Sequence, residues 1–204
     1  MTYTYWVEQL EVDELPIEVR VKDVKRARLR ITTAGKVWFS VPPSMGAQGA
    51  VEMMRKNRAW IDTHLAAVKA AQLAPLTLWG SQVPDAALPT SVNTLFRAEL
   101  SQALQDLQPR WRYLAGDQPL RFNYRWMDTR WGSCNAFRRR ITMNPALAAL
   151  EPRFLEEVLV HELVHLTHPN HGPGFRAMMD STLPSWELIA ADLRRIRPMP
   201  KPAR

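Results

Sequence analysis

The stretch HELVHLTHPNH, residues 161–171, contains four of the five histidines of this 204-residue chain. The residues before it are mostly apolar and Pro152 suits the first turn of a helix, so the sequence predicts a helix over residues 152–167. Residues four apart lie on the same face of a helix. The predicted helix therefore turns His161 and His165 to one side, where two imidazole nitrogens can bind one ion.

An acidic residue, Glu162, directly follows the first of these histidines. It can reach a water on the ion without occupying a coordination position, which is the HExxH arrangement of zinc hydrolases. A catalytic zinc needs a third protein ligand and an open fourth position. The chain breaks at Pro169-Asn170, and His171 follows six residues after His165. We therefore prefer His171 as the third ligand.

A competing ligand is His168, which stands where the HExxHxxGxxH pattern of metzincins has a turn-forming glycine. It would continue the helix beyond the second ligand and leave its face, so we interpret His168, with Asn170, as facing the substrate or supporting the ligands. Three imidazoles and one open position favour Zn²⁺, one per chain. Iron, cobalt and nickel fit the same ligands and stay open.

The composition bounds the class of protein. No apolar run is long enough to cross a bilayer, and the first residues lack the basic start and apolar stretch of a signal peptide. The one cysteine, Cys134, cannot form an internal disulfide, which favours a reducing cytoplasm. The net charge of +7 invites an anionic partner, but such a balance is also common in proteins that bind no polyanion. We expect a cytoplasmic protein without a membrane partner.

Residue patterns divide the chain into two parts. Residues 3–41 alternate β-branched or aromatic residues with charged ones and predict short strands. Helical periodicity follows over residues 46–74, and prolines bracket a loop-rich link over residues 75–89. We expect an N-terminal β-rich subdomain, with its helix and the linker, over residues 1–90, and a second domain over residues 91–204.

The second part mixes helices and strands. Apolar spacing predicts helices over about 92–114 and 184–196, in addition to the helix that carries the histidines. Strand-like segments at 120–127 and 138–144 flank the segment TRWGSCNAF, residues 129–137. Strands and helices in this order indicate an α+β fold.

Several motifs together resemble one family. RWGSC, then ITMN, EEVLVHELVHL and NHGPGF are similar to the YgjP-like predicted metal-dependent hydrolases, relatives of the SprT-like and WLM metallopeptidases in the zincin fold. The resemblance extends to the RARLRIT and GKVWFSVP strands and to RKNRAWI, so it covers most of the chain. It implies a zincin-like metallopeptidase core, in which an active-site helix packs on a small mixed sheet, with an N-terminal antiparallel β-rich subdomain.

The resemblance also implies roles for particular residues. His161, His165 and His171 would be the zinc ligands, and Glu162 would be the general acid and base. In that fold the strand before the active-site helix borders the cleft, so residues 138–144 could offer a backbone edge to an extended substrate.

Residues of the RWGSC segment would lie near the cleft. Arg130 is a candidate to contact an oxyanion or the substrate, and Ser133 would lie beside it. The alternative interpretation of this segment is structural, with Trp131 and Cys134 packed in the core and Gly132 making a turn.

Two further groups have structural interpretations. Phe175, Met178 and Met179 follow the third histidine, and although related metalloproteases place a methionine beneath the metal, helical spacing favours core packing. The run of three arginines at residues 138–140 is interpreted as a solvated strand end.

Three functions stay open. The leading hypothesis is a zinc-dependent metallopeptidase that cleaves a polypeptide with a water activated by Glu162. The same chemistry could hydrolyse a nucleotide phosphoanhydride, as a UTP-type pyrophosphohydrolase does, with Arg130 and residues 138–140 holding phosphates, although the sequence has no glycine-rich phosphate loop. A DNA-associated protease or adaptor is the third hypothesis, but the basic residues are scattered and no zinc-finger cysteine set accompanies them.

Overall fold

The computed structural model describes residues 4–32, 34–84, 91–199 and 201 of the chain. It divides into two compact units, Met1–Ala74 and Pro75–Arg204. Both units combine helices with a small sheet, so the expected α+β class is confirmed. None of the helices in the described ranges has the length and apolar character that crossing a bilayer requires.

The first unit contains a four-stranded sheet and two helices: β1 (Thr4–Val12), β2 (Leu15–Lys22), β3 (Arg28–Ile31), β4 (Val37–Val41), α1 (Gly46–Lys56) and α2 (Arg58–Leu73). The strand order is β1-β2-β4-β3. The pairs β1–β2 and β3–β4 are antiparallel, whereas β2 and β4 are parallel. The expectation of an antiparallel subdomain is therefore wrong for the central pair, and the sheet is mixed.

The composition of the strands explains this order. In β4 (VWFSV) every second residue is buried, whereas β3 (RLRI) carries two exposed arginines. The apolar β4 therefore lies between two neighbours, and the charged β3 forms an edge, where charges discourage further pairing. The chain passes through the edge strand first and returns by a tight turn, so β4 becomes parallel to β2.

The predicted helix over residues 46–74 is two helices. The break lies at Asn57, whose side-chain amide donates a hydrogen bond of 2.7 Å to the Met53 carbonyl oxygen. Both helices contribute to the core of this unit, which forms on one face of the sheet around Phe39, Met54 and Ile61. The helical periodicity identified the apolar stripe correctly but not the change of direction within it.

In its described residues the second unit contains five helical segments and five strands: β5 (Thr77–Leu78), β6 (Ser81–Gln82), α3 (Val92–Ala115), β7 (Arg121–Tyr124), β8 (Gly132–Asn135), β9 (Arg140–Met143), a short 3-10 helix (Pro145–Ala149), α4 (Pro152–Val164), α5 (Pro173–Thr182) and α6 (Trp186–Leu193). In the three-stranded sheet, β9 is parallel to β7 and antiparallel to β8. Helix α4 packs against β8 and β9. The expected core, an active-site helix on a small mixed sheet, is confirmed.

The order of this sheet, β7-β9-β8, corrects one expectation. Residues 138–144 were expected to offer a backbone edge, but β9 is the central strand and has a neighbour on each side. The edge strand next to α4 is β8, which the sequence did not predict as a strand because GSCN lacks β-branched and aromatic residues.

The proline-bracketed link is also more ordered than expected. The Trp79 N–H donates to the Ala148 carbonyl oxygen at 2.7 Å, and the Thr77 hydroxyl donates to that of Ala149 at 2.7 Å. The Trp79 indole Nε1–H donates to Glu99 Oε2 at 2.9 Å. These bonds join residues 75–84 to the second unit, so the expected boundary between residues 90 and 91 lies inside that unit.

Candidate metal centre

The first two histidines lie at the C-terminal end of α4. The helix ends at Val164, but His165 keeps a helical conformation, and its N–H donates to the His161 carbonyl oxygen at 3.2 Å. The two imidazole rings therefore lie on one face of the helix and meet edge to face, with their centroids 4.9 Å apart. The predicted geometry of the HExxH pair is present.

The third histidine joins them after the chain has turned. The ring of His171 lies 5.0 Å from that of His161 and 4.7 Å from that of His165. One ligand nitrogen from each histidine lies within 4.8 Å of the others, and His171 Nε2 is 3.1 Å from His161 Nε2. Two nitrogens on one tetrahedral zinc ion are about 3.3 Å apart. The three residues therefore fit a shared cation.

The outer nitrogens of the first two imidazoles face acceptors. His165 Nδ1 lies 2.9 Å from the His168 carbonyl oxygen, and His161 Nδ1 lies 3.7 Å from a carboxylate oxygen of Glu157. At His165 this hydrogen bond keeps the proton on Nδ1 and leaves Nε2 free to bind a metal, whereas the Glu157 oxygen is near His161 Nδ1 but beyond hydrogen-bond distance. Glu157 is buried, with 3% of its surface exposed, and the sequence analysis did not identify it.

The charge state of the histidines also suits a metal ligand. Burial lowers the pKa of His165, and the neighbouring His161 and His171 lower it further against the opposing hydrogen bond to His168. Burial and the charges of His161 and Arg176 likewise lower the pKa of His171. Both rings are therefore neutral at pH 7, the form that binds a cation.

Glu162 lies beside the imidazole cluster and is buried. Burial raises the pKa of its carboxyl group to about 7, and the carboxylate of Glu157 raises it as well, whereas His161 and Arg130 lower it. A carboxyl group with a pKa near neutrality can both accept and release a proton.

The backbone of β8 passes unusually close to this glutamate. A Cβ on Gly132 would lie 2.6 Å from Glu162 Oε1 and 2.8 Å from Val158 Cγ1. Any larger residue at this position would displace the glutamate or the strand. The interpretation of Gly132 as a turn residue is wrong, because it begins the edge strand and makes room for Glu162.

A buried asparagine fixes the segment that leads into β8. Asn144 is fully buried, and its side-chain amide donates to the carbonyl oxygens of Met127 and Arg130 at 2.8 and 2.9 Å. Its backbone N–H donates to the Trp131 carbonyl oxygen at 2.8 Å. Asn144 thereby holds the backbone on which Gly132 approaches the glutamate.

An aromatic ring packs against the imidazole cluster. Phe175, in the first turn of α5, lies 4.9, 4.8 and 4.7 Å by ring centroid from His161, His165 and His171. Its side chain is 1% exposed. Met179 belongs to the core as expected. Phe175 is thus a site residue that the sequence analysis assigned only to the core.

The remaining residues of the histidine turn have other contacts. The ring of His168 packs on Gly174, where an added Cβ would lie 3.0 Å from it, and His168 reaches the cluster only through its carbonyl oxygen. Asn170 Oδ1 accepts from the Gly172 N–H at 3.3 Å and shapes the turn.

The residues of the RWGSC segment lie in different surroundings. Arg130 is exposed, and its charge lowers the pKa of Glu162, so it lies near the site. Ser133 follows Gly132 in β8, and strand alternation turns its side chain to the opposite face of the sheet. Burial, together with the charge of Glu162, raises the pKa of the Cys134 thiol to about 11, so this thiol stays protonated.

The chain was compared with family models, curated proteins and solved structures. The model of a family described as YgjP-like, metallopeptidase domain, matches residues 77–196, more than half of the chain. The crystal structure of the metallopeptidase zymogen abylysin of Pyrococcus abyssi is 20% identical, with 47% of this chain and 92% of that chain covered and a TM-score of 0.40. The crystal structure of the metallopeptidase zymogen of Methanocaldococcus jannaschii jannalysin has a sequence 14% identical to this one. The match covers 47% of this chain and 94% of that chain, with a TM-score of 0.39. No curated protein sequence matches the chain.

The family match, the imidazole cluster and the helix on its small sheet place this chain among the metal-dependent hydrolases of the metallopeptidase class. The chain belongs to the YgjP-like family, and the resemblance seen in the sequence is confirmed.

Proposed function

We propose that the chain is a zinc-dependent peptidase in which His161, His165 and His171 bind one Zn²⁺ and Glu162 is the general acid and base. One observation carries the proposal. The three imidazoles converge within 4.8 Å at the end of α4, and Glu162 lies buried beside them. Three imidazoles that leave one coordination position open are the ligand set of a catalytic zinc site.

The chemistry divides between the ion and the protein. Zn²⁺ at such a centre supplies Lewis acidity, which polarises a carbonyl group and lowers the pKa of water toward neutrality. Glu162 accepts the proton of the attacking water and then donates it to the departing amine. Its pKa of about 7 suits both transfers, because the group must be able to exist in either form near neutral pH.

The edge of the sheet supports a polypeptide as the substrate. In the three-stranded sheet β8 pairs only with β9, and its first residue, Gly132, touches Glu162. An extended peptide that adds to β8 through main-chain hydrogen bonds would pass the glutamate and present its carbonyl groups there. This mode of binding depends on the peptide backbone, so it accepts many sequences.

The test is hydrolysis by protein that carries one equivalent of zinc. We expect it to cleave casein or members of a peptide library, to lose activity with a chelator and to regain it with zinc. Glu162→Gln should keep the metal and lose about a hundredfold or more of the turnover, as removal of a general base does. Protein with full zinc occupancy that cleaves no peptide between about pH 5 and 9 would contradict the proposal.

The phosphoanhydride alternative has less support. Of the arginines proposed to hold phosphates, Arg130 lies near Glu162, but the Arg139 guanidinium is bonded to the backbone carbonyl groups of residues 115, 118 and 119. Among the described residues of this site, no contact supports a DNA-associated role either. Release of pyrophosphate from nucleoside triphosphates, measured beside peptide cleavage, separates these activities.

A further inference from the structure

The turn between β8 and β9 exposes one aromatic side chain almost completely. Phe137 is 97% exposed, more than any other large apolar residue in the described ranges. The next in order are Leu188 at 74% and Tyr113 at 64%. Burial of a phenylalanine ring on binding would contribute strongly to affinity.

The backbone that carries Phe137 is held in place. The guanidinium of Arg139 donates to the carbonyl oxygens of Ala115, the last residue of α3, and of Gln118 and Pro119 in the loop that follows. Asn135 Oδ1 accepts from the Arg138 N–H at 2.9 Å, which joins the residues on either side of Ala136 and Phe137 in the chain.

Arg139 also has a φ of 45°, in the left-handed region that favours glycine. An arginine stays in this conformation when its side chain is fixed as described above. These hydrogen bonds restrict the backbone of the turn, so a partner that binds Phe137 would lose less conformational entropy in ordering it.

The position of the turn relates it to the metal centre. Strand β8 begins at Gly132, beside Glu162, and runs to Asn135, two residues before Phe137. At about 3.4 Å per residue, Phe137 lies at most about 17 Å along the chain from Gly132. A peptide paired with the edge of β8 would need about four or five residues to span that length.

We propose that Phe137 is a remote contact site for the substrate polypeptide and binds an apolar side chain four or five residues from the cleaved bond. The inference rests on the proposed peptidase function and names the substrate class. Antiparallel pairing is the more stable arrangement, and β8 runs from Glu162 toward Phe137. The apolar residue therefore lies on the N-terminal side of the cleaved bond.

The test compares long and short substrates. From one sequence that the wild-type protein cleaves, three peptides are made: one with leucine at the proposed position, one with serine there, and one truncated before it. Phe137→Ser should lower kcat/KM about tenfold for the leucine peptide and leave the truncated peptide unchanged. The wild type should prefer leucine to serine about tenfold, and the variant should lose this preference.

A matched control and a binding measurement complete the experiment. Leu188→Ser removes another highly exposed apolar side chain and should change none of the three rates. In the zinc-loaded Glu162→Gln protein, which holds the peptide without cleaving it, adding Phe137→Ser should raise the Kd of the labelled leucine peptide about tenfold, by fluorescence anisotropy.

The outcomes are separable. If Phe137→Ser lowers kcat/KM equally for the leucine peptide and the truncated peptide, or for neither, the proposed role of Phe137 is overturned. Cleavage by the wild type would still support the peptidase function in that case. An unchanged Kd would overturn it independently of turnover. A wild type that cleaves no peptide would refute the proposed function and this inference together.

Discussion

Gly132 and Glu162 are in such close contact that a Cβ on the glycine would lie 2.6 Å from the carboxylate oxygen Oε1. Real Cβ atoms do not approach other heavy atoms to this distance. The side chain of Glu162 can therefore take its position only because residue 132 has no side chain. The position of the proposed general base thus depends on a glycine in a strand that lies thirty residues earlier in the chain.

Gly132→Ala should therefore impair catalysis without removing the metal ligands. We expect turnover to fall about a hundredfold, since a shift of about 1 Å in a reacting group has that effect. Overpacking should lower the free energy of unfolding by about 1–3 kcal/mol. Steady-state kinetics, metal analysis and urea denaturation measure the three quantities. Ser133→Ala is the control in the same strand, and equal damage by both substitutions would contradict this account.

Glu157→Gln should weaken metal binding, because its carboxylate lies 3.7 Å from Nδ1 of His161 and increases the basicity of that ring. We expect about a tenfold lower zinc affinity in chelator competition. Glu156→Gln is the matched control, since Glu156 bonds instead to Arg110 at 2.8 Å and to the Trp111 indole at 3.1 Å. An affinity that changes equally in both variants, or in neither, would disprove the role of Glu157.

Phe175→Leu should lower both stability and zinc affinity, since the ring packs on all three imidazoles. Phe96→Leu is the control, because Phe96 is equally buried in the same hydrophobic core. Both substitutions should lower the free energy of unfolding by about 1–2 kcal/mol. Only Phe175→Leu should also lower the affinity for zinc. Parallel losses of affinity would mean that the effect comes from general destabilisation.

The third ligand can be decided by two alanine substitutions. His171→Ala should abolish stoichiometric zinc binding at micromolar concentrations, because a two-histidine site lacks the third ligand that zinc requires. His168→Ala should keep the metal, since His168 contributes a carbonyl oxygen that alanine also has. Elemental analysis after dialysis measures both. The opposite pattern would make His168 the ligand.

Glu162→Gln should stabilise the metal-free protein at high pH. The carboxyl pKa is about 7 in the fold and near 4.5 when exposed, so the folded state must hold a buried carboxylate above pH 7. Below pH 4.5 the group is protonated in both states, and this cost vanishes. We expect the variant to be up to about 3 kcal/mol more stable at pH 8 in urea denaturation, and about equal at pH 4. A wild type that is the more stable protein at pH 8 would contradict the expected sign.

The sequence predicted what depends on local spacing. Two histidines one helical turn apart, and a third beyond a proline, identified the imidazole cluster before the fold was known. Helix α3 was likewise predicted within a residue at its C-terminal end, because its apolar stripe is regular and Ser91 caps its start.

Features that depend on distant contacts were missed. Glycine and serine gave β8 no strand signal, and the closeness of Gly132 to Glu162 exists only after β8 has packed on α4. The link at residues 75–84 looked free because its partners, Ala148 and Ala149, lie some seventy residues later. Helix α5 begins at Pro173, between Gly172 and Gly174, and these turn-favouring residues hid its start.

The three imidazoles all come from eleven consecutive residues, whereas the setting of Glu162 needs a strand from much earlier in the chain. Closing so short a loop costs little entropy, so a partly folded polypeptide can already capture the cation. Because the cation binds the helical form, its capture would stabilise that helix early. On the proposed function, hydrolysis would also require β8 to pack beside Glu162, so a chain in which only the helix has formed would bind the ion without cleaving peptides.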